Sequence, residues 1–131
     1  MAAARPRSEG VSQRLLLLVE DDDDSAVLFA SHAERLGHRV IRAENGEDAV
    51  RVAESSHIDL AVVDLLLPGM SGWDVVAQLM STEATAHCPI VVCSVLDRQD
   101  YPKDVQAFLP KPYTRRQVEQ ILQRLLPDGE Q

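Results

Sequence analysis

LLLLVEDDDDSAV, residues 15–27, runs five apolar residues, Leu15 to Val19, straight into five acids, Glu20 to Asp24. A short, continuous apolar run reads as a strand covered on both faces, as in a parallel sheet. Acids this dense repel one another, and burial is costly unless a cation compensates. Two arrangements relieve the repulsion: solvation at a helix start, or a bound cation. Asp22, Asp23 and Asp24 suit the first, because carboxylates at a helix N-terminus cap free N–H groups and favour its dipole. Glu20 and Asp21, next to the strand, suit the second.

The same alternation continues outward along the chain. Further apolar runs are Ile58–Val63 and Cys88–Cys93, with weaker ones at Arg39–Arg42 and Val105–Leu109. Between them lie amphipathic segments predicted as helices: Asp24–Leu36, Gly46–Ser55, Gly72–Met80 and Thr114–Leu126. In the last, Val118, Ile121, Leu122 and Leu125 recur at three- and four-residue spacing along one helix face. Thr114 is a predicted N-cap, Gly37 a predicted helix stop, and Asn45-Gly46 a predicted opening turn. Strands alternating with helices predict an α/β fold with a doubly wound, five-stranded parallel sheet.

The 131 residues suit one domain with one proper core; 45% are hydrophobic and 26% charged, the balance of a globular chain. A net charge of -8 argues against direct nucleic-acid binding, which needs a basic surface. No apolar run approaches the roughly 20 residues needed to span a bilayer. Residues 1–13 read as a flexible N-terminal tail, 14–126 as the domain, and 127–131 as a C-terminal tail. Cys88 and Cys93 are five apart in one apolar run, an odd offset that places them on opposite faces of a strand. They are expected to be reduced thiols in a cytoplasmic protein. His32, His38, His57 and His87 show no ligand spacing and read as surface or boundary residues.

In a parallel sheet all strand ends share one edge, where ligands bind. The first strand ends in Glu20-Asp21, the third in Asp64, the fourth in Ser94, and Lys111 follows the fifth. Three carboxylates converging at one edge form a site for a hard divalent cation, with Mg²⁺ favoured. A lysine and a hydroxyl beside it suit a phosphoryl group.

Taken in order, LLLLVEDD, VVDLLLPGMSGWDV, PIVVCS and KPYT resemble the receiver domain of two-component response regulators, over residues 14 to 126. The resemblance implies the flavodoxin-like receiver fold, with Asp64 as phosphoacceptor. It implies that Glu20, Asp21, Asp64 and the Leu66 carbonyl hold Mg²⁺, and that Lys111 pairs with the phosphoryl group. It implies Ser94 as the switch hydroxyl, Phe108 at the aromatic switch position, and a cis Lys111-Pro112 peptide.

The chain departs from that pattern between Ser94 and Lys111. Only VLDRQDYPKD, residues 95–104, joins the fourth and fifth runs. A parallel crossover needs about a dozen residues or more, helix included. The fourth helix is therefore expected to be shortened or missing.

The expected function is a phosphoacceptor switch rather than an enzyme. It would take its phosphoryl group from a histidine kinase or a histidine phosphotransfer protein and change partner binding, as a monomer or weak dimer. The alternative is a pseudo-receiver, an interaction module that works without phosphorylation. A nucleotide-binding enzyme is unsupported, since neither G-x-G-x-x-G nor a P-loop is present.

Overall fold

The computed structural model describes residues 13–69, 71–95 and 105–126. Within them the chain forms β1 (Leu15–Val19), α1 (Asp23–Arg35), β2 (Arg39–Ala43), α2 (Gly46–Ser55), β3 (Leu60–Asp64), α3 (Gly72–Ser81), a 3-10 turn (Glu83–Thr85), β4 (Ile90–Ser94), β5 (Ala107–Pro110) and α4 (Arg115–Leu125). The five strands make one sheet in the order β2-β1-β3-β4-β5, every neighbouring pair parallel. This is the doubly wound parallel sheet the apolar runs predict, in the flavodoxin-like order the resemblance implies. Four α-helices among the described residues accord with a shortened or missing fourth helix. Most of the connection on which that expectation rests, residues 96–104, lies outside the described residues, as do the expected tail residues 1–12 and 127–131.

The three central strands, β1, β3 and β4, bury side chains on both faces, so the sheet carries two core layers. One gathers Leu17, Val19, Ala61, Val63, Ile90 and Val92 with residues of α2 and α3, among them Ala49, Ala53, Val75 and Leu79. The other gathers Leu16, Leu18, Leu60, Val62, Val91 and Leu109 with residues of α1 and α4, including Phe29, Ala33, Val118 and Leu122. The cysteines do fall on opposite faces: Cys88 packs against the first layer and Cys93 is buried in the second. Both are free thiols, and burial pushes each up to about 12.

The helix ends follow their sequence signals. Asp22 caps α1 by accepting the Ser25 amide, and Asp23 and Asp24 fill the first turn. Thr114 and Gln117 form a reciprocal capping box at α4. Gly37, at φ 94°, ends α1: its amide donates to the Glu34 carbonyl and the next amide, of His38, to the Ala33 carbonyl.

Several boundaries differ from the sequence reading. β4 begins at Ile90, not Cys88, because Pro89 has no N–H to donate to a central strand. β3 starts at Leu60 and includes Asp64 as its last residue. β5 begins two residues later than expected and ends on Pro110, which an edge strand tolerates.

His38 is a correction: it is buried, at 8% exposure, with Nδ1 accepting the Arg14 amide. The turn that ends α1 drives it inward beside the start of β1. Burial lowers its pKa below the ordinary 6.5, and the nearby Arg14 charge acts in the same direction while Asp59 opposes it. A depressed folded pKa means this histidine stabilises the fold above pH 6.5 and loses that contribution as pH falls through the folded value. Urea unfolding of wild type and His38→Asn between pH 7.5 and 5 should show the wild type losing more stability on acidification. Parallel curves would contradict a buried neutral His38.

Candidate functional site

The order β2-β1-β3 puts the topological switch point between β1 and β3, since the chain winds one way from β1 to β2 and the other way through β3. Val19 pairs with Val63, so the residues that follow, Glu20 and Asp64, come out side by side at the open edge. Asp64 pairs with Cys93 and Ser94 with Pro110, which brings Ser94 and Lys111 to the same edge. Lys111 is held there by its amide, which donates to the Ser94 carbonyl at 2.9 Å. The Lys111–Pro112 peptide is cis.

Glu20, Asp21 and Asp64 each offer a carboxylate oxygen within 4.8 Å of the others. Glu20 and Asp64 are buried, at 3% and 6% exposure, whereas Asp21 faces solvent. Three oxygens, one on the open side, form a donor set suited to a hard cation that keeps part of its water shell. The Lys111 ammonium lies between the two buried acids, 2.8 Å from Glu20 Oε1 and 3.0 Å from Asp64 Oδ2. Burial raises the Glu20 pKa, and the hydrogen bond from Lys111 partly offsets it. Burial works against the charge of Lys111 too, but the two carboxylates outweigh it and hold its pKa above the ordinary 10.5.

The other expected residues sit as follows. The Leu66 amide donates to Asp64 Oδ1 at 3.0 Å, which orients the carboxylate and puts Leu66 at the rim of the site. In the Leu65-Leu66-Leu67 run, Leu65 and Leu67 pack into the core layer above α3 while Leu66 is 53% exposed. Ser94 is fully buried at the end of β4. Phe108 lies on β5 opposite Val92, half-buried against the same layer as Leu67.

Sequence reasoning missed Arg42, at the end of β2. Its Nε donates to the Glu20 carbonyl at 2.9 Å and its Nη1 to Asp23 Oδ1 at 2.8 Å. The sequence offered no signal for this beyond an arginine near the end of the second run.

Residues 16–123 match the family model of the response regulator receiver domain. The chain belongs to this family. Among curated relatives, it is 32% identical over 66 residues to Protein PilH of Pseudomonas aeruginosa, covering 50% of this chain and 54% of that one. It spans about half or less of the length of the first curated relatives it matches. Among solved structures, it superposes with a TM-score of 0.79 on the receiver domain of a sensor histidine kinase from Pseudomonas aeruginosa PAO1, at 27% identity, covering 87% of this chain and 98% of that one. That domain has a magnesium ion coordinated in its active site cleft. A receiver domain from Methylobacillus flagellatus gives the same TM-score at 29% identity, with 87% and 99% covered. Among the described residues of the receiver domain, no helix is long and apolar enough to cross a membrane.

Proposed function

We propose that this receiver domain accepts a phosphoryl group on Asp64 in a Mg²⁺-dependent reaction, from a histidine kinase or a histidine phosphotransfer protein. The observation that carries this reading is the convergence of Glu20, Asp21 and Asp64 with the Lys111 ammonium set among them. A carboxylate oxygen of Asp64 attacks phosphorus, the P–N bond to the donor histidine breaks, and an aspartyl phosphate forms. Lys111, already within 3.0 Å of an Asp64 oxygen, screens the approaching negative charge. Glu20, Asp21 and Asp64, with the Leu66 carbonyl, would hold Mg²⁺, which would supply further charge screening for the attack. The domain takes part in its own modification without turning over a substrate, so it is a switch rather than an enzyme. It acts in the cytoplasm, as a monomer or weak dimer.

The added phosphoryl charge is the signal. Ser94 supplies a hydroxyl to the new oxygens, and its movement frees space for the Phe108 ring. The pseudo-receiver alternative is not favoured, because the acids and the lysine it could dispense with are all in place. Titration with beryllofluoride, a phosphoryl mimic, tests the reading. With Mg²⁺, amide shifts should centre on Asp64 and reach Ser94 and Phe108, and Asp64→Asn should abolish them. Shifts that persist in Asp64→Asn, or that are absent from wild type, would contradict it.

Water must reach phosphorus opposite the leaving carboxylate for the aspartyl phosphate to hydrolyse. Leu66 and Val95 are large, apolar and exposed, at 53% and 62%, beside Asp64 and Ser94. Neither can orient a water. The aspartyl phosphate should therefore be long-lived, and Leu66→Asn should speed its decay by about 10-fold, the equivalent of about 1.4 kcal/mol from one oriented water. Phosphoryl decay after donor removal measures this; equal rates would remove Leu66 from the account.

A further inference from the structure

We infer that Arg42 is a positioning residue that holds the Glu20–Asp23 loop in its cation-binding shape. The inference rests on the reading of Glu20, Asp21 and Asp64 as a Mg²⁺ site. Glu20 is the first residue past β1, where the sheet no longer fixes both sides of the backbone. Here β2 fixes both of its peptide groups. The Glu20 amide donates to the Ala43 carbonyl at 2.9 Å, and the Glu20 carbonyl accepts Arg42 Nε at 2.9 Å.

The second arm of the guanidinium, Nη1, reaches Asp23 in the first turn of α1, with Glu44 Oε2 farther off at 4.0 Å. Between these two anchors the loop closes on itself. Glu20 Oε2 accepts the Asp22 amide at 3.2 Å, and the Asp22 side chain caps the Ser25 amide at 2.8 Å. Asp21, the exposed member of the cluster, is thus suspended between two fixed neighbours.

The pair with Asp23 alone carries little energy, because the Asp23 side chain is 85% exposed. The bond to the half-buried backbone carbonyl is the one that fixes the guanidinium. Nη2 is buried without a hydrogen-bond partner among the described residues, so Nε and Nη1 alone set the orientation. A planar fork can serve two divergent acceptors at once, whereas a lysine ammonium on a flexible stem is a point charge.

Charge and geometry make opposite predictions at this residue. As a charge, Arg42 repels Mg²⁺, and removing it tightens binding. As a brace, it spares the loop the ordering that binding demands, and removing it weakens binding. Groups that orient ligands in this way change metal affinity by about 10-fold or more when lost.

The test is calorimetric Mg²⁺ affinity of wild type, Arg42→Ala and Arg42→Lys, with hydrogen exchange on the same proteins free of metal. Both variants should bind Mg²⁺ about 10-fold more weakly than wild type. In both, the Glu20, Asp22 and Ser25 amides should exchange faster while the Leu65 amide, bonded to Cys93, keeps its protection. Equal or tighter binding in Arg42→Ala, or full rescue by Arg42→Lys, would overturn the inference and leave the site assignment standing. Loss of protection across the whole sheet in both variants would also overturn it, making Arg42 a folding residue. Wild type that binds no Mg²⁺, with the loop amides of both variants still exchanging faster, would instead overturn the site assignment.

Discussion

Lys111→Ala should lower the unfolding free energy of the metal-free domain by about 3 kcal/mol and make its stability depend steeply on Mg²⁺. Lys111 Nζ is the shared partner of Glu20 and Asp64, and both carboxylates are more than nine-tenths buried. Removing it leaves two like charges facing one another out of water, the expensive way to break a buried ion pair. A divalent cation can take over the compensation, so added Mg²⁺ should restore much of the loss. The variant should bind Mg²⁺ more tightly than wild type, since no ammonium competes for the same oxygens. It should also accept phosphoryl groups at least about 100-fold more slowly, because the metal alone cannot replace a donor fixed beside the incoming oxygens. Denaturant melts with and without Mg²⁺ measure the first effect. Unchanged metal-free stability, or weaker Mg²⁺ binding, would contradict the shared-partner description.

Gly72→Ala should cost about 3 kcal/mol, at the upper end for added bulk in a packed site, and impair phosphoryl uptake as well. A Cβ at Gly72 would meet the Asp64 carbonyl oxygen and Leu65 Cα more closely than real Cβ atoms come. Both are backbone atoms, so no rotamer change relieves the overlap. The Gly72 amide also donates to the Leu65 carbonyl at 3.1 Å, so the start of α3 is docked directly on the peptide that carries the nucleophile. Either α3 shifts away or Asp64 moves. A shift of α3 unpacks Val75, Val76 and Leu79 from the core, and a shift of Asp64 spoils its alignment with Lys111. Thermal melts and phosphorylation rates should both fall. A variant as stable and as reactive as wild type would mean the close approach is not required.

Much of this architecture is legible in the chain because strands buried on both faces must be apolar throughout. Leu15–Val19 is both the apolar run and the strand, and the acids that end it stand where the sheet ends. Parallel order then carries Glu20, Asp64, Ser94 and Lys111 to one edge without further information. The boundaries that slipped did so at residues whose backbone chemistry overrides hydropathy. Cys88 is apolar, but Pro89 after it cannot donate to the ladder.

What the sequence could not show is lateral pairing and depth. His38 looks like a polar residue after a turn, and only the reversal at Gly37 reveals that it points inward. Arg42 becomes a partner of Glu20 only once β2 is known to lie beside β1 with Leu18 opposite Arg42. In the Leu65-Leu66-Leu67 run, composition alone does not say which leucine faces out. The fold shows it: Leu65 and Leu67 pack into the core and Leu66 faces out.

The most direct measurement is intact-protein and peptide mass spectrometry after incubation with acetyl phosphate, with and without Mg²⁺. One phosphoryl group per chain, dependent on Mg²⁺, localised to Asp64 and absent from Asp64→Asn and Asp21→Ala, is the predicted result. Labelling that proceeds equally without Mg²⁺, survives in Asp64→Asn, or never occurs in wild type would contradict the account.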